Sequence, residues 1–548
     1  MGQDIFPDKI LLHLKEGKLM NDFIDLKAKL RAQYGVNKKI TDGNFDKSLA
    51  VKCVNGTFVG KKTENIITFK GIPFVGKQPV GELRWKAPVD YVADNGVYEA
   101  YYNGKSSWQA EGDPSSFYVR GEDCLYLNVY KADDNNTKKP VMVWIHGGAF
   151  ETGGSIEYDS HNLVKENPEV IVVVVAYRLG ALGFMHLSHL SDGKDYPDAQ
   201  NLGLLDSVAS LKWVHENISN FGGDPDNVTI FGESAGAGIC TMIPLIKGSQ
   251  KYFHRVIAES GAPSQSQSTE EAISCANEIM SALGCKTVAD LLKVDAETLT
   301  NKVADMFGLF KTFQVRTIPE KDGRILPLNP FDAYANGAAK NIAFLHGCNK
   351  DEMNTFSGMM GEEFWKAWVY SRENQRFAQL SDKEKALLES YYEDLEGGEF
   401  ERSSKIFSQS WFIAPQIRLS EEQTKGGGKS YTYYFRAESK LPMIKSGHGI
   451  EVAIIFDNKE DAADVEAVFD ETFCKTMRKM WVQFAKTGNP SLSAEISPDG
   501  KEKIWEPYDL QNKQVMVFDE FNIHMEKEAA LKIVDWERSY FLSNYSFL

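Results

Sequence analysis

The stretch NVTIFGESAG, residues 227–236, decides the fold of this 548-residue chain. NVTIF is a short apolar run typical of a buried strand, and the small residues that follow favour a helix. GESAG fits the pattern G-x-S-x-G, in which a serine occupies a tight turn from strand to helix. Gly232 and Gly236 have no side chains to clash in such a turn. Ser234 is therefore predicted to project above the carboxyl edge of a sheet, where open α/β sheets bind ligands. A chance pentapeptide at a helix cap is the alternative, which the strand before and the helix after disfavour.

Further strands and helices are predicted on both sides of this turn. VIVVVVAY is a continuous apolar, β-branched run, as expected of a strand buried on both faces. Residues 203–218 repeat apolar side chains at helical spacing. The strands are predicted at residues 141–145, 170–177, 227–232, 255–260, 341–346 and 431–435. Alternation of this kind predicts the α/β class, with a large, mostly parallel twisted sheet and helices on both faces. Residues 51–74, with their spaced glycines, predict a small N-terminal antiparallel sheet.

Domain organisation is expected to be simple. Residues 1–47 carry apolar side chains at roughly helical spacing, with charges between them. They are predicted to be an N-terminal helical extension, packed on a single α/β domain of residues 48–548, with a membrane-surface or partner helix as the alternative. The longest apolar run, residues 170–177, is too short to span a membrane, which takes about 20 residues. No secretory signal is visible at the start.

Composition narrows the function classes further. Hydrophobic residues make up 43% and charged residues 25%, which is ordinary for a globular protein and disfavours disorder. The net charge of −16 disfavours a nucleic-acid partner, which requires a basic footprint. Seven cysteines in 548 residues indicate a reducing compartment, so a cytoplasmic location is expected, with a secreted mature form as the alternative.

A serine nucleophile needs donors for the negative oxygen that develops when it attacks a carbonyl. HGGAF, residues 146–150, follows the predicted strand VMVWI. Gly147 and Gly148 have no side chains, so their backbone N–H groups can approach a bound oxygen. The N–H of Ala235, directly after the serine, can supply the third donor. These three residues are predicted to form an oxyanion hole. A plain glycine turn is the alternative for HGGAF, which its place after a hydrophobic strand and upstream of the serine turn disfavours.

At this point the sequence resembles the type-B carboxylesterase/cholinesterase family of α/β-hydrolases, over roughly residue 48 to the C-terminus. The resemblance rests on ordered blocks: GIPFVGKQPVGELRWKAP, EDCLYLNVY, VMVWIHGGAF, AYRLGALGF, NLGLLDSVASLKWVHENISNFGGDPDNVTIFGESAGA and SGHGIEVAIIF. It implies the α/β-hydrolase fold and hydrolysis of carboxylic esters through an acyl-serine, with neither a metal nor a cofactor. The implied partners are small-molecule esters, and the oligomeric state stays open.

The remaining triad members follow in the order serine, acid, histidine. His448, in SGHGIE, matches the histidine block of the family, while His524 is the only other late candidate. His346, which ends a predicted strand, is expected to be structural. Glu352 matches the acid of the family, and the adjacent Asp351 is the alternative. The acid would fix the tautomer of the histidine and stabilise its charged form.

Further expectations concern residues that would support the triad or the fold. By resemblance, Glu233 and Ser260 are expected to support the triad by hydrogen bonds, and Arg84 and Glu122 to form an ion pair. Ordinary solvated charges are the alternative for both pairs. The side chains expected to line an acyl or alcohol pocket, unless they belong to the core, are Phe69, Tyr118, Phe356 and Trp411.

Two departures from the family pattern bear on function. Trp108 stands where the family has the upstream partner of Cys124, so the first family disulfide is doubtful, while Cys275 and Cys285 match a second family pair. The loop between residues 103 and 122 is short, and no choline-binding tryptophan can be placed in it, which disfavours a cholinesterase.

The sequence thus predicts a broad esterase for small to medium acyl groups that organophosphates inhibit at Ser234. A long-chain lipase is a related alternative. The rival from another class is a non-catalytic adhesion protein on the same scaffold, which the presence of all three triad side chains disfavours.

Overall fold

The computed structural model describes residues 29–110, 118–309, 312, 314–360, 381–393, 395–459 and 466–527. Within these ranges, an eleven-stranded sheet and a four-stranded sheet form the framework. The strands are β1 (Lys39–Ile40), β2 (Ala50–Cys53), β3 (Gly56–Val59), β4 (Lys61–Thr63), β5 (Ile66–Pro73), β6 (Val97–Glu99), β7 (Tyr126–Ala132), β8 (Lys139–Ile145), β9 (Ile171–Val175), β10 (Gly223–Glu233), β11 (Arg255–Glu259), β12 (Ala343–Asn349), β13 (Lys429–Phe435), β14 (Gln514–Asp519) and β15 (Asn522–Lys527).

The large sheet has the order β15-β14-β13-β12-β11-β10-β8-β9-β7-β5-β4. Its centre, from β9 through β8 and β10 to β14, is parallel. Antiparallel strands flank this centre on both sides. All five residues of β9 are buried, as expected of a parallel strand with both faces covered. The predicted fold class, a mostly parallel sheet with helices on both faces, is confirmed.

Helices cover both faces of this sheet. The α-helices of the described residues are α1 (His161–Glu166), α2 (Gly180–Gly183), α3 (Leu202–Asn217), α4 (Ala235–Met242), α5 (Thr269–Ala282), α6 (Val288–Leu291), α7 (Ala296–Phe307), α8 (Pro330–Ala335), α9 (Met353–Met360), α10 (Asp382–Glu393), α11 (Glu399–Ser408), α12 (Ala414–Lys425), α13 (Ile450–Phe456) and α14 (Glu471–Thr487). Successive side chains of β8 alternate between the two faces. Val143 packs in the core with α3 and α4, while Met142 and Trp144 pack with α13 and α14.

The parallel centre brings several loops to one edge of the sheet. Gly232 in β10 pairs with Ile145 in β8, and Glu233 pairs with Glu259 in β11. Glu259 pairs in turn with Gly347 in β12. Because parallel strands end at the same edge, the loops after β8, β10, β11 and β12 lie side by side.

The smaller sheet has the order β1-β6-β3-β2. Its outer pairs are antiparallel, whereas β3 and β6 run parallel. The predicted strands of residues 51–74 are divided between the two sheets, since β4 and β5 extend the large one. Most of the N-terminal extension, residues 1–28, lies outside the described residues. Among the described residues, no helix is long and apolar enough to cross a membrane.

Candidate active site

Ser234 occupies a strained turn between β10 and α4. Its backbone has φ 55° and ψ −125°, a left-handed region that side chains rarely adopt. A Cβ at Gly232 would lie 2.5 Å from the carbonyl oxygen of Ile145, and one at Gly236 would lie 2.0 Å from the same atom. Both flanking positions therefore require glycine, which explains the G-x-S-x-G spacing in steric terms. The turn is fixed by the Ser234 N–H, which donates to the Glu259 carbonyl at 2.8 Å.

The loop after β8 passes directly beside this serine. A Cβ at Gly147 would lie 3.1 Å from the Ser234 Cβ. Gly148 has φ 98°, and the next two residues also have positive φ, so the loop is folded tightly. No acceptor among the described residues takes the N–H of Gly147 or Gly148. Ala235 is the first residue of α4, where an N–H has no intrahelical partner. The predicted oxyanion-hole residues thus lie around Ser234 with N–H groups free to donate.

His448 and Glu352 are joined by a short hydrogen bond. His448 Nδ1 lies 2.5 Å from Glu352 Oε2, and Glu352 is fully buried. The other carboxylate oxygen of Glu352 accepts from the Asn349 N–H at 2.7 Å and from the Ser260 hydroxyl at 2.5 Å. Because a carboxylate only accepts hydrogen bonds, Nδ1 donates to Glu352, so in the neutral form of the ring Nε2 is the basic atom.

Nε2 of His448 faces the nucleophile turn. It lies 3.0 Å from Glu233 Oε1, and Glu233 directly precedes Ser234. Within the described residues, no hydrogen bond joins the Ser234 hydroxyl to the imidazole. Burial alone would lower the pKa of His448, but the charges of Glu233 and Glu352 outweigh it and raise that pKa well above its ordinary value. The ring thus lies between two carboxylates, and this environment favours the charged imidazolium.

Two aromatic rings pack on the imidazole. Phe412 lies 4.6 Å from His448 and Phe356 lies 5.1 Å from it, measured between ring centroids. Phe412 belongs to a π-helical turn, Gln409–Ile413, between α11 and α12. Such turns often mark functional sites, since they shift the side chains that follow. Sequence reasoning missed Phe412, because a π turn leaves no local pattern.

Two further carboxyl groups lie buried beneath the site. Glu451 accepts from the Asn349 amide at 2.5 Å, and Glu259 accepts from the Trp481 indole at 2.9 Å. Burial, together with the charges of Glu352 and Glu233, raises the pKa of Glu451 to about 8. Burial also raises the pKa of Glu259 well above its usual range. Burial therefore favours the neutral, protonated form of both carboxyls. Neither carboxyl group was singled out from the sequence. The signal that could have identified them was their position, since Glu259 directly precedes Ser260 and Glu451 follows His448 by three residues.

The other residues considered for the acid and the base of the triad form no hydrogen bond with the nucleophile turn or His448 in the described part of the chain. Asp351 makes no hydrogen bond to His448 among the described residues, and burial raises its pKa. His346 is buried in β12 and bonds to Gln416 at 2.7 Å. His524 lies in the edge strand β15, and its Nδ1 lies 2.9 Å from the Asn522 carbonyl.

The structure also locates the residues of the expected ion pair and the aromatic residues expected to line a pocket. Arg84 donates two hydrogen bonds to Glu122, at 2.6 and 2.5 Å, so the expected ion pair is present. Phe69 packs edge-on against Phe221 in the core instead of lining the site. Tyr118 donates to Glu157. Trp411 lies in the π turn, beside Phe412.

All seven cysteines are free thiols, including Cys275 and Cys285. Among the described residues, no group of three or more His, Cys, Asp or Glu side chains is placed to hold a metal ion.

Comparison with known proteins adds a second line of evidence. The profile of the "Carboxylesterase family" matches residues 47–534. The para-nitrobenzyl esterase of Bacillus subtilis is 35% identical over 491 residues, which cover 86% of this chain and 96% of that protein. Carboxylesterase 1C of Mus musculus is 28% identical over 490 residues, with 82% of this chain and 85% of that protein covered. A crystal structure of a Geobacillus stearothermophilus carboxylesterase superposes with a TM-score of 0.78 and 31% identity, covering 88% of this chain and 99% of that one.

Proposed function

We propose, since this chain belongs to the carboxylesterase family and hydrolyses carboxylic esters, that the hydrolysis proceeds through an acyl group on Ser234. The observation that carries the proposal is the convergence of three features. Ser234 lies on a strained turn, the N–H groups of the Gly147 loop lie beside it, and His448 faces the same turn with Glu352 bonded behind it.

The first half of the reaction forms the acyl-enzyme. The Ser234 hydroxyl attacks the ester carbonyl carbon, and its proton passes to Nε2 of His448. The ring is neutral at the start of this step, and its Nε2 leaves Glu233 to accept the serine proton. The carbonyl oxygen gains negative charge, and the N–H groups of Gly147, Gly148 and Ala235 donate to it. Each such donor lowers the barrier by an amount on the order of 2.7–4 kcal/mol.

The second half releases the products. His448 gives its proton to the leaving alkoxide, and the alcohol departs. Water then attacks the acyl-Ser234 with His448 again as base, so the acid is released and the serine is restored. Glu352 holds the ring and stabilises its charged form in both halves. Neither half requires a metal or a cofactor.

The proposed substrate range is broad and covers esters of small to medium acyl groups. Organophosphates are proposed to inhibit the enzyme by phosphylating Ser234. The aromatic rings at His448 support apolar substrates, and the Bacillus subtilis relative is named for a para-nitrobenzyl ester. A series of p-nitrophenyl esters from C2 to C12 tests this. A rate maximum at the longest chains would contradict it and favour a lipase.

We also propose that residues 48–548 form the esterase domain and residues 1–47 an extension, which the match over residues 47–534 supports. The free thiols support a reducing, cytoplasmic location.

Turnover of p-nitrophenyl acetate by wild type and Ser234→Ala tests the proposed nucleophile. We expect kcat to fall by about 10⁴-fold or more, because a serine-hydrolase site loses most of its rate without the nucleophile. Ser219→Ala, at an exposed serine, serves as the control and is expected to match wild type. If folded Ser234→Ala turns over the ester as fast as wild type, Ser234 is not the nucleophile.

A further inference from the structure

A second hydrogen-bonded chain of serine, histidine and glutamate lies away from Ser234, in the loop that follows α2. The Ser188 hydroxyl lies 3.0 Å from His186 Nε2, and His186 Nδ1 lies 2.7 Å from Glu320 Oε2. Glu320 is 1% exposed and His186 is 7% exposed, whereas Ser188 is exposed to solvent. The hydroxyl is thus accessible, while the groups behind it are shielded from water.

The chemistry of these groups fixes the direction of each hydrogen bond. The Glu320 carboxylate can only accept, so His186 Nδ1 donates to it. In the neutral imidazole, Nε2 then carries the lone pair and accepts the proton of the Ser188 hydroxyl. This is the order of roles that a serine nucleophile needs: hydroxyl, base, and an acid that orients the base.

Glu320, the acid of this second hydrogen-bonded series, is held in the same way as Glu352. The second oxygen of Glu320 accepts from the Thr269 hydroxyl at 2.6 Å, as the second oxygen of Glu352 accepts from Ser260 at 2.5 Å. The Glu320 backbone is fixed by Asn201, which donates to its carbonyl at 2.9 Å. The carboxylate is therefore positioned by groups from α5 and from the segment before α3, independently of the serine loop.

We propose that Ser188, His186 and Glu320 form a second nucleophilic site, which accepts acyl or phosphonyl groups from activated donors. With an activated ester, the Ser188 oxygen bonds to the acyl carbon, its proton passes to His186 Nε2, and the bond to the leaving phenolate breaks with its electron pair. With a fluorophosphonate, the oxygen bonds to phosphorus and fluoride leaves. The inference does not rest on the chemistry proposed at Ser234.

The rate at this site should be low, because Gly193, the glycine that lies against Ser188, donates its N–H to the Leu190 carbonyl at 2.9 Å and is not free to bind an oxyanion. The backbone N–H groups of Ser188 and His189 donate to no acceptor in the described ranges and are the available donors. The site thus has one oxyanion donor fewer than the three at Ser234, and a missing donor costs about 10²–10³-fold. We therefore expect Ser188 to react about 10²–10³-fold more slowly than Ser234.

Labelling of full-length Ser234→Ala with a fluorophosphonate, followed by peptide mass mapping over hours, tests the proposal. We expect an adduct at Ser188, which disappears in the Ser234→Ala/Ser188→Ala double variant. Ser191 is the internal control, since it is exposed in the same loop and bonds to no histidine within the described residues. Equal labelling of Ser188 and Ser191, or no adduct at Ser188, overturns the proposal.

Glu320→Gln in the Ser234→Ala background separates a reactive role from a structural one. The amide keeps the size of the side chain but removes the charge that stabilises the imidazolium. We expect labelling of Ser188 to slow at least tenfold while the melting temperature shows a folded protein. An unchanged labelling rate in the folded variant contradicts the role of Glu320. If the variant does not fold, the comparison of Ser188 with Ser191 decides.

Discussion

At the scale of single residues, the candidate site depends on a few positions whose backbone or contacts admit one solution. Ser234 keeps its left-handed backbone because the neighbouring glycines leave room for it. Strain of this kind persists only where the surroundings hold it, and it is concentrated at functional sites. The sequence motif carried this information, since the steric requirement is local. The contacts of His448 with Phe412 and Glu233 were harder to foresee, because they join distant segments or depend on a side-chain rotamer.

Glu352→Gln tests which carboxylate serves the imidazole. The amide no longer stabilises the charged ring, so we expect kcat for p-nitrophenyl acetate to fall by about 10⁴-fold, as in serine proteases that lose the charge of this acid. Asp351→Asn is the matched control, because it removes the neighbouring charge without touching His448, and we expect a change below tenfold. The reverse ranking of these two variants would assign the acid to Asp351.

Glu233→Gln tests how this carboxylate sets the basicity of His448. Glu233 raises the pKa of the imidazole, and only the neutral ring can act as a base. Removing the charge lowers that pKa, so the acidic limb of the kcat/KM profile should move to lower pH. Glu438→Gln removes a surface charge that pairs with Lys350 and is expected to leave the profile unchanged. An unmoved or alkaline-shifted limb in Glu233→Gln contradicts the assigned electrostatics.

At the scale of elements, local patterns predicted the strands and helices that matter most for the site. The predicted strands at residues 141–145 and 170–177 correspond to β8 and β9, and the helix at residues 203–218 corresponds to α3. Continuous β-branched runs and helical spacing were the signals. The division of residues 51–74 between two sheets was not predictable, because alternation along a strand does not identify its partner.

Gly236→Ala tests the steric requirement of the turn into α4. The new Cβ would lie 2.0 Å from the Ile145 carbonyl oxygen, a backbone atom that cannot move without disturbing β8. We expect a loss of at least about 2 kcal/mol of unfolding free energy, or of soluble protein, together with loss of turnover. Gly358→Ala in α9 is the control, because its Cβ would meet side chains at 3.5 Å, an ordinary contact. Wild-type stability and turnover in Gly236→Ala would contradict this steric account.

At the scale of the whole molecule, buried ionisable groups link stability to pH. His146 directly follows β8, and His346 lies within β12. Burial lowers the pKa of each to about 4. Both rings are neutral in the folded protein. The sequence predicted a structural role for His346 from its place at a strand end, but burial by α12 and β13 appears only after the chain has folded.

His346→Gln tests this linkage. The unfolded chain binds a proton near pH 6.5 and the folded one only near pH 4, so stability falls as pH drops through this window. The shift corresponds to about 3 kcal/mol for the histidine. We expect His346→Gln to lose less unfolding free energy than wild type between pH 7 and 4.5, as measured by urea denaturation. The exposed-site variant His189→Gln should behave as wild type. An identical pH dependence in His346→Gln and wild type contradicts the buried neutral state.

The reaction proposed for the intact molecule is tested most directly by following inactivation and modification together. Wild type is mixed with a p-nitrophenyl phosphonate, and samples are quenched over time for both ester turnover and peptide mass mapping. The account predicts that modification of Ser234 proceeds at the same rate as the loss of activity, and that both reach completion together. Complete loss of activity with an unmodified Ser234 would contradict it.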